Sequence, residues 1–177
     1  MKKNLFFILL LTFGLCLSSC CCKTQNSEKT DEKSTFDEEV LLKDFGAEPT
    51  VLNIDAYTVA NENFRTALWT GTFLQVTLMS IPVGGEIGLE VHPDLDQFLR
   101  IEEGAGTVMM GDSEEDLSFT KKVEADFAII VPAGKWHNIV NSGDNPLKLY
   151  SIYAPVEHPH GTVHKTFEEA EEAEHHH

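Results

Sequence analysis

Between residues 74 and 153 no apolar or alternating run lasts longer than eight residues before a glycine- or proline-bearing turn cuts it off. The runs are Leu74–Ile81, Ile87–His92, Gln97–Glu102, Thr107–Met110, Phe127–Val131, His137–Val140 and Leu147–Tyr153, and Val51–Ile54 precedes them. The interruptions are Pro82-Val83-Gly84-Gly85, Glu103-Gly104-Ala105-Gly106, Gly111-Asp112-Ser113, Pro132-Ala133-Gly134 and Ser142-Gly143-Asp144-Asn145-Pro146. A globular helix needs a longer stretch of 3.6-residue periodicity than any of these intervals allows. The body is therefore expected to be all-β, a sandwich or a barrel of short strands in one domain.

The flanks read differently. Lys2 and Lys3 precede an apolar run, Leu5–Leu17, that is too short to span a bilayer comfortably and suits a signal-peptide core. Ser18-Ser19-Cys20 closes that run and resembles the bacterial lipoprotein cleavage box. The resemblance implies that residues 1–19 form a lipoprotein signal peptide and that Cys20 becomes the lipidated first residue. Residues 20–44 are polar and charge-rich and read as a flexible tether. The barrel is placed at 45–157, and 158–177 form a histidine-containing tail in which Thr166-Phe167-Glu168-Glu169 opens a short acidic helix to Glu174. His175–His177 are native or the stub of a purification tag and stay outside the site argument.

All four cysteines lie at positions 16, 20, 21 and 22, so the body has neither disulfides nor thiolate ligands, and any metal there must be held by nitrogen and oxygen. The net charge is −16, and removing Lys2 and Lys3 with the leader takes it to −18. Such a surface repels nucleic acid and anionic lipid head groups, which leaves acyl chains as the means of membrane attachment. The expected location is the cell envelope, on the periplasmic or cell-surface side.

Two stretches carry candidate chemistry. In Gly84–Gly104, Glu90 and His92 are two apart and share a strand face. After a turn at Pro93–Asp96, Gln97 follows the inward parity of Leu99 and Ile101. In Asp126–Asn141, a buried strand runs into Pro132-Ala133-Gly134, and His137 opens the next strand on a face shared with Ile139 and Asn141.

Here the chain resembles the cupin superfamily. Its first motif reads Gly, five residues, His-x-His, three or four residues, Glu, six residues, Gly, and Gly84, Glu90, His92, Gln97 and Gly104 fall at those positions. Its second reads Gly, five residues, Pro-x-Gly, two residues, His, three residues, Asn, and Asp126, Pro132, Gly134, His137 and Asn141 fall there. The resemblance implies a jelly-roll β-barrel with a metal near its mouth, held by Glu90, His92, Gln97 and His137. Three positions depart from the pattern: Glu90 replaces a histidine, Gln97 a glutamate and Asp126 a glycine. The first two compensate, because the ligand set keeps a charge of −1, and an amide oxygen still binds a divalent ion. Zn, Mn, Fe, Ni and Co all suit such a set.

The resemblance is to small bacterial cupins of the mannose-6-phosphate-isomerase-like type. It implies a metal that polarises a carbonyl and a carboxylate, Glu90, that moves a proton on a small carbohydrate-like or carbonyl substrate. It also implies pairing as a homodimer. A non-catalytic module that binds a small molecule or carbohydrate and a cupin dioxygenase are the alternatives. Tyr153, Ser151 and Met79 are candidate pocket residues, and Gln75 and Thr77 alternate with Met79 on one strand. Arg65 and Trp69 belong to a segment expected to cover the barrel. His158, His160 and His164 are expected in a solvated loop, with a lid or second metal site as the other reading.

Overall fold

The computed structural model describes residues 39–174. Cys20, the leader, most of the tether and His175–His177 lie outside the described residues. Two antiparallel sheets face each other. One has six strands, β1 (Arg65–Thr70), β2 (Gln75–Ile81), β3 (Asp96–Glu103), β6 (Ala128–Val131), β8 (Leu147–Ala154) and β9 (Val163–His164), in the order β6-β3-β8-β2-β1-β9. The other has three, β4 (Ala105–Gly111), β5 (Phe119–Glu124) and β7 (Trp136–Asn141), in the order β5-β4-β7. Among the described residues no helix is long and apolar enough to cross a membrane.

The core follows from alternation. On β3, Gln97, Leu99 and Ile101 are buried while Phe98, Arg100 and Glu102 are only partly so. Strands β3, β8 and β2 lie side by side in register, which stacks their inward residues in rows: Gln97–Tyr153–Gln75, then Leu99–Ser151–Thr77, then Ile101–Leu149–Met79. The last row joins Ile81, Val108, Ile129, Val131, Ile139 and Leu147 in the apolar core. Gly104 turns β3 into β4 at φ 90°, where a Cβ would stand 2.7 Å from the carbonyl oxygen of Pro146, so only glycine fits. Asp126, where the family pattern has glycine, also lies in the left-handed region at φ 73°, which a short polar side chain tolerates.

Three stretches that the sequence reading assigned take another form. Val51–Ile54 is not a strand: residues 51–53 lead into helix α1 (Ile54–Ala60), capped by Asn53, whose Oδ1 accepts from the Ala56 N–H at 3.3 Å. Residues 65–70, expected as a cover, form β1 within the large sheet. Ile87–His92 is not a strand: it meets β7 in one isolated bridge, Glu90 to His137, with another just before it at Glu86, and Gly88 at φ 96° breaks the ladder between them. On the outer face of the large sheet, Val40, Leu42, Phe45, Leu52 and Ile54 pack around Tyr57, Leu68 and Leu78.

The C-terminal helix α2 (Phe167–Glu174) forms as expected. Thr166 Oγ1 accepts from the Glu169 N–H, and Glu169 returns a bond to the N–H of Lys165, one residue earlier than a capping box would have it. Phe167 packs edge-on to Phe64 at 5.5 Å, and Ala170 joins the core, so the helix is docked on the barrel.

Candidate metal centre

Glu90 and His137 are brought together by their backbones. The Glu90 N–H donates to the His137 carbonyl at 3.0 Å, and the His137 N–H donates to the Glu90 carbonyl at 2.9 Å. Residues bonded in this reciprocal way project side chains to the same face. Glu90 Oε1 accordingly lies 3.1 Å from His137 Nε2 and 3.4 Å from His92 Nε2. Each of the three side chains offers a ligand atom within 4.8 Å of the others.

The hydrogen bonding of His137 fixes its tautomer. Its Nδ1 is 3.0 Å from the carbonyl oxygen of Lys135, which can only accept, so Nδ1 carries the proton. In the neutral ring Nε2 is then a lone pair facing a carboxylate oxygen. Two acceptors at that distance need positive charge between or beside them, either a proton or a metal ion.

In the metal-free protein one positive charge beside Glu90 is that of His92. Burial opposes it, but Glu157, with Oε1 3.2 Å from His92 Nδ1, and Glu90 on the other side raise the His92 pKa to about 9. Burial likewise opposes the charge on Glu90, yet His137 and His92 hold its carboxyl well below the usual carboxylate range. An imidazolium between carboxylates occupies electrostatically the place a divalent ion would take, and metal binding would release its proton.

Gln97 is buried on the inner face, next to Tyr153 in the sheet, and Tyr153 packs edge-on to His92 at 5.7 Å. Gln97 Nε2 donates to Ser151 Oγ at 3.0 Å, while Oε1 has no hydrogen-bond partner among the described residues. His92 Nε2, also buried, faces Glu90 Oε1 at 3.4 Å. A buried amide oxygen is rarely left without a partner, and this one suits a cation or a water. The donor set of two imidazoles and a carboxylate at Glu90, His92 and His137 thus fits a divalent ion.

A cavity of about 640 Å³ opens on the cluster, lined by Glu90, Val91, His92, Glu157, His158, Pro159, Thr162, His164 and Ala173. Its second wall is the tail, which corrects the expectation of a solvated loop. His158 and His164 line the cavity; His160 alone of the three stands exposed, beside Asp44. Gln75 holds the tail in place: its Nε2 donates to the His158 carbonyl at 2.8 Å and its Oε1 accepts the His158 N–H at 2.9 Å. Burial and the Arg65 charge push the His158 pKa down to about 3, so its imidazole is neutral. Tyr153 and Ser151 are buried in the sheet and Met79 in the apolar core, and none of them lines the cavity. Burial drives the Tyr153 phenol up to about 12. A separate apolar cleft of about 510 Å³ runs between β5 and β6, away from these residues.

Sequence reasoning missed Glu157. Its only sequence signal is its place directly before His158-Pro159-His160, and no spacing rule ties it to His92.

Comparison with known proteins settles the family. A model of the cupin domain matches residues 77–153. The uncharacterised protein YrkC of Bacillus subtilis is 57% identical over 145 residues, covering 81% of this chain and 78% of its own. The chain belongs to the cupin family. The cupin is also 38% identical over 115 residues to the uncharacterised protein L612 of Acanthamoeba polyphaga mimivirus, covering 64% of this chain and 69% of that one. The crystal structure of BH2720 from Bacillus halodurans superposes on it with a TM-score of 0.73 at 59% identity, covering 73% of this cupin and 98% of that chain.

Proposed function

We propose that this cupin holds one divalent metal ion through Glu90 Oε1, His92 Nε2, His137 Nε2 and Gln97 Oε1, and acts on a small carbohydrate-like or carbonyl substrate in the manner of an isomerase. The observation that carries the reading is the contact between His137 Nε2 and Glu90 Oε1 at 3.1 Å, with the tautomer fixed from the far side by Lys135. The ion would supply Lewis-acid polarisation of a carbonyl. Glu90 turns Oε1 to both imidazoles, and its second carboxylate oxygen is the group assigned to move the proton. The neutral His158 imidazole orients a hydroxyl from the opposite wall.

The test is a titration of chelator-treated protein with Co²⁺, Zn²⁺, Mn²⁺, Fe²⁺ and Ni²⁺, followed by assays on aldoses and ketoses. Uptake of one equivalent, lost in His137→Ala with the β circular dichroism spectrum retained, is expected. A wild type that takes up none of these ions would refute the metal site. Uptake with sugar binding but no carbonyl migration would replace the enzyme reading with a binding module, and metal-dependent oxygen consumption would replace it with a dioxygenase.

The reading extends to the envelope, where lipidated Cys20 would hold the cupin. Its support is the apolar run that ends directly before Ser18-Ser19-Cys20. Cys20→Ser is expected to release the protein from membranes or leave it unprocessed. A Ser variant at the mature mass in the membrane fraction would refute the anchor.

A further inference from the structure

We infer that Glu157 is a positioning residue of the metal centre, and that the strap of residues 155–164 is a working wall of the site. The inference rests on the metal reading above and deepens it. The two histidines of the cluster are oriented by different means. His137 donates Nδ1–H to the Lys135 carbonyl, two residues earlier in the turn that leads into β7. His92 faces the Glu157 carboxylate instead, with Oε1 3.2 Å from Nδ1.

An imidazole has two neutral tautomers, and only the one with the proton on Nδ1 leaves Nε2 free to ligate. A carboxylate on Nδ1 selects that tautomer, holds the ring plane and makes Nε2 more basic. Nδ1 and Nε2 point away from each other across the ring. Glu157 therefore sits on the far side of His92 from Glu90 and acts through the ring, not on the ion.

The position of Glu157 is set by its neighbours in the chain. The next residue, His158, is gripped at both backbone groups by Gln75, which is wholly buried on β2. Three residues further, the Gly161 N–H donates to Asp44 Oδ2 at 2.9 Å, and the Thr162 carbonyl accepts from the Ala67 N–H at 2.8 Å. Val163 and His164 then pair with β1. Four attachments along seven residues hold the strap against the sheet, and they fix the carboxylate over His92. In metal–histidine sites, removing such an orienting partner lowers metal affinity about 10–100-fold.

The experiment is a competitive Co²⁺ titration of the full chain with Glu157→Ala, Glu157→Gln and Glu157→Asp, each also in the His92→Ala background. Affinity is expected to fall 10–100-fold in Glu157→Ala and to recover in large part in Glu157→Asp. Glu157→Gln, which still accepts from Nδ1–H, falls between. In the His92→Ala background Glu157→Ala should add nothing, because its path to the ion is gone. An equal loss in both backgrounds overturns the proposal, since Glu157 would then act through the fold or the general charge. Should the wild type take up no Co²⁺, the metal reading fails by itself. The role of Glu157 is then read from the imidazole ¹⁵N shifts of His92, which must change in Glu157→Ala; unchanged shifts overturn it.

Discussion

The inner faces of β3, β8 and β2 carry two ends of one barrel built on opposite principles. At one end Ile101, Leu149 and Met79 lie in a row and join an apolar core in which nothing needs a hydrogen bond. At the other, Gln97, Tyr153 and Gln75 lie in the same register two rows away, and Gln97 Oε1, with Thr77 Oγ1 in the row between, is buried without a partner among the described residues. The backbone is common to both rows, so the difference lies in side chains alone. The apolar end supplies stability through burial, while the polar end leaves groups desolvated for a ligand to satisfy. A barrel of this kind can lose its site without losing its fold, and the reverse does not hold.

The sharpest way to break that contrast is at the apolar end. Leu149→Ala removes a fully buried side chain and should cost about 2–5 kcal/mol in urea denaturation. Cobalt affinity of the folded fraction should stay within about twofold. If affinity fell as far as in His137→Ala, the two ends would be one cooperative unit.

At the mouth the contrast is read through pH. His92 has a pKa of about 9 in the metal-free fold against an ordinary 6.5. A raised histidine pKa contributes its full stabilisation below 6.5 and loses it as pH climbs through about 9. That shift sets an upper bound of about 3 kcal/mol. Glu90 works in the other direction: its depressed pKa contributes stability above the ordinary 4.5, and that is lost as pH falls through the lower folded value. Chelated protein should therefore melt highest at roughly pH 5–6.5 and progressively lower towards pH 9. The His92→Gln variant should lack the alkaline decline. Metal reverses the trend, because ligation requires a deprotonated ring, so the metal-induced rise in Tm should grow between pH 6 and 9. Parallel melting curves with and without metal across that range would contradict the assignment of His92.

The smallest stability effect belongs to Gln97→Leu. It removes the bond to Ser151 together with an orphaned oxygen, two terms of opposite sign, so the metal-free variant should lie within about 1 kcal/mol of wild type. Metal affinity should nonetheless fall several-fold. Unchanged affinity would mean that the orphaned oxygen serves the substrate or a water and not the ion.

How much of this was legible in the sequence depended on whether a residue's role was local. Strands β2, β3, β4, β6, β7 and β8 show alternation or a compact apolar run bounded by turns, and all were expected. Strand β1 was not, because Arg65–Leu68 are all buried and nothing alternates. Strand β5 failed for the opposite reason: Phe119–Lys122 are all exposed on an edge strand. Helix α1 hid behind the apolar Val51-Leu52, although Asn53 marked its start. At the site, Glu90, His92 and His137 could be gathered from family spacing. The strap could not, since Gln75 holds it through the backbone of His158 and backbone groups leave no trace in residue identity.

That clamp also orders events in time. Glu90 and His137 are 47 residues apart in the chain, whereas Gln75 and His158 are 83 apart. Contacts over longer separations carry a larger loop-closure cost and form later in folding. The wall over His92 is anchored on β1 and β2, so it is expected to be in place only once the large sheet has formed. A metal ion at this centre would join a barrel already formed and would not nucleate it, unlike the ions around which small zinc modules fold. The refolding rate of this cupin should accordingly be the same with and without metal, and metal should act by slowing the unfolding limb alone.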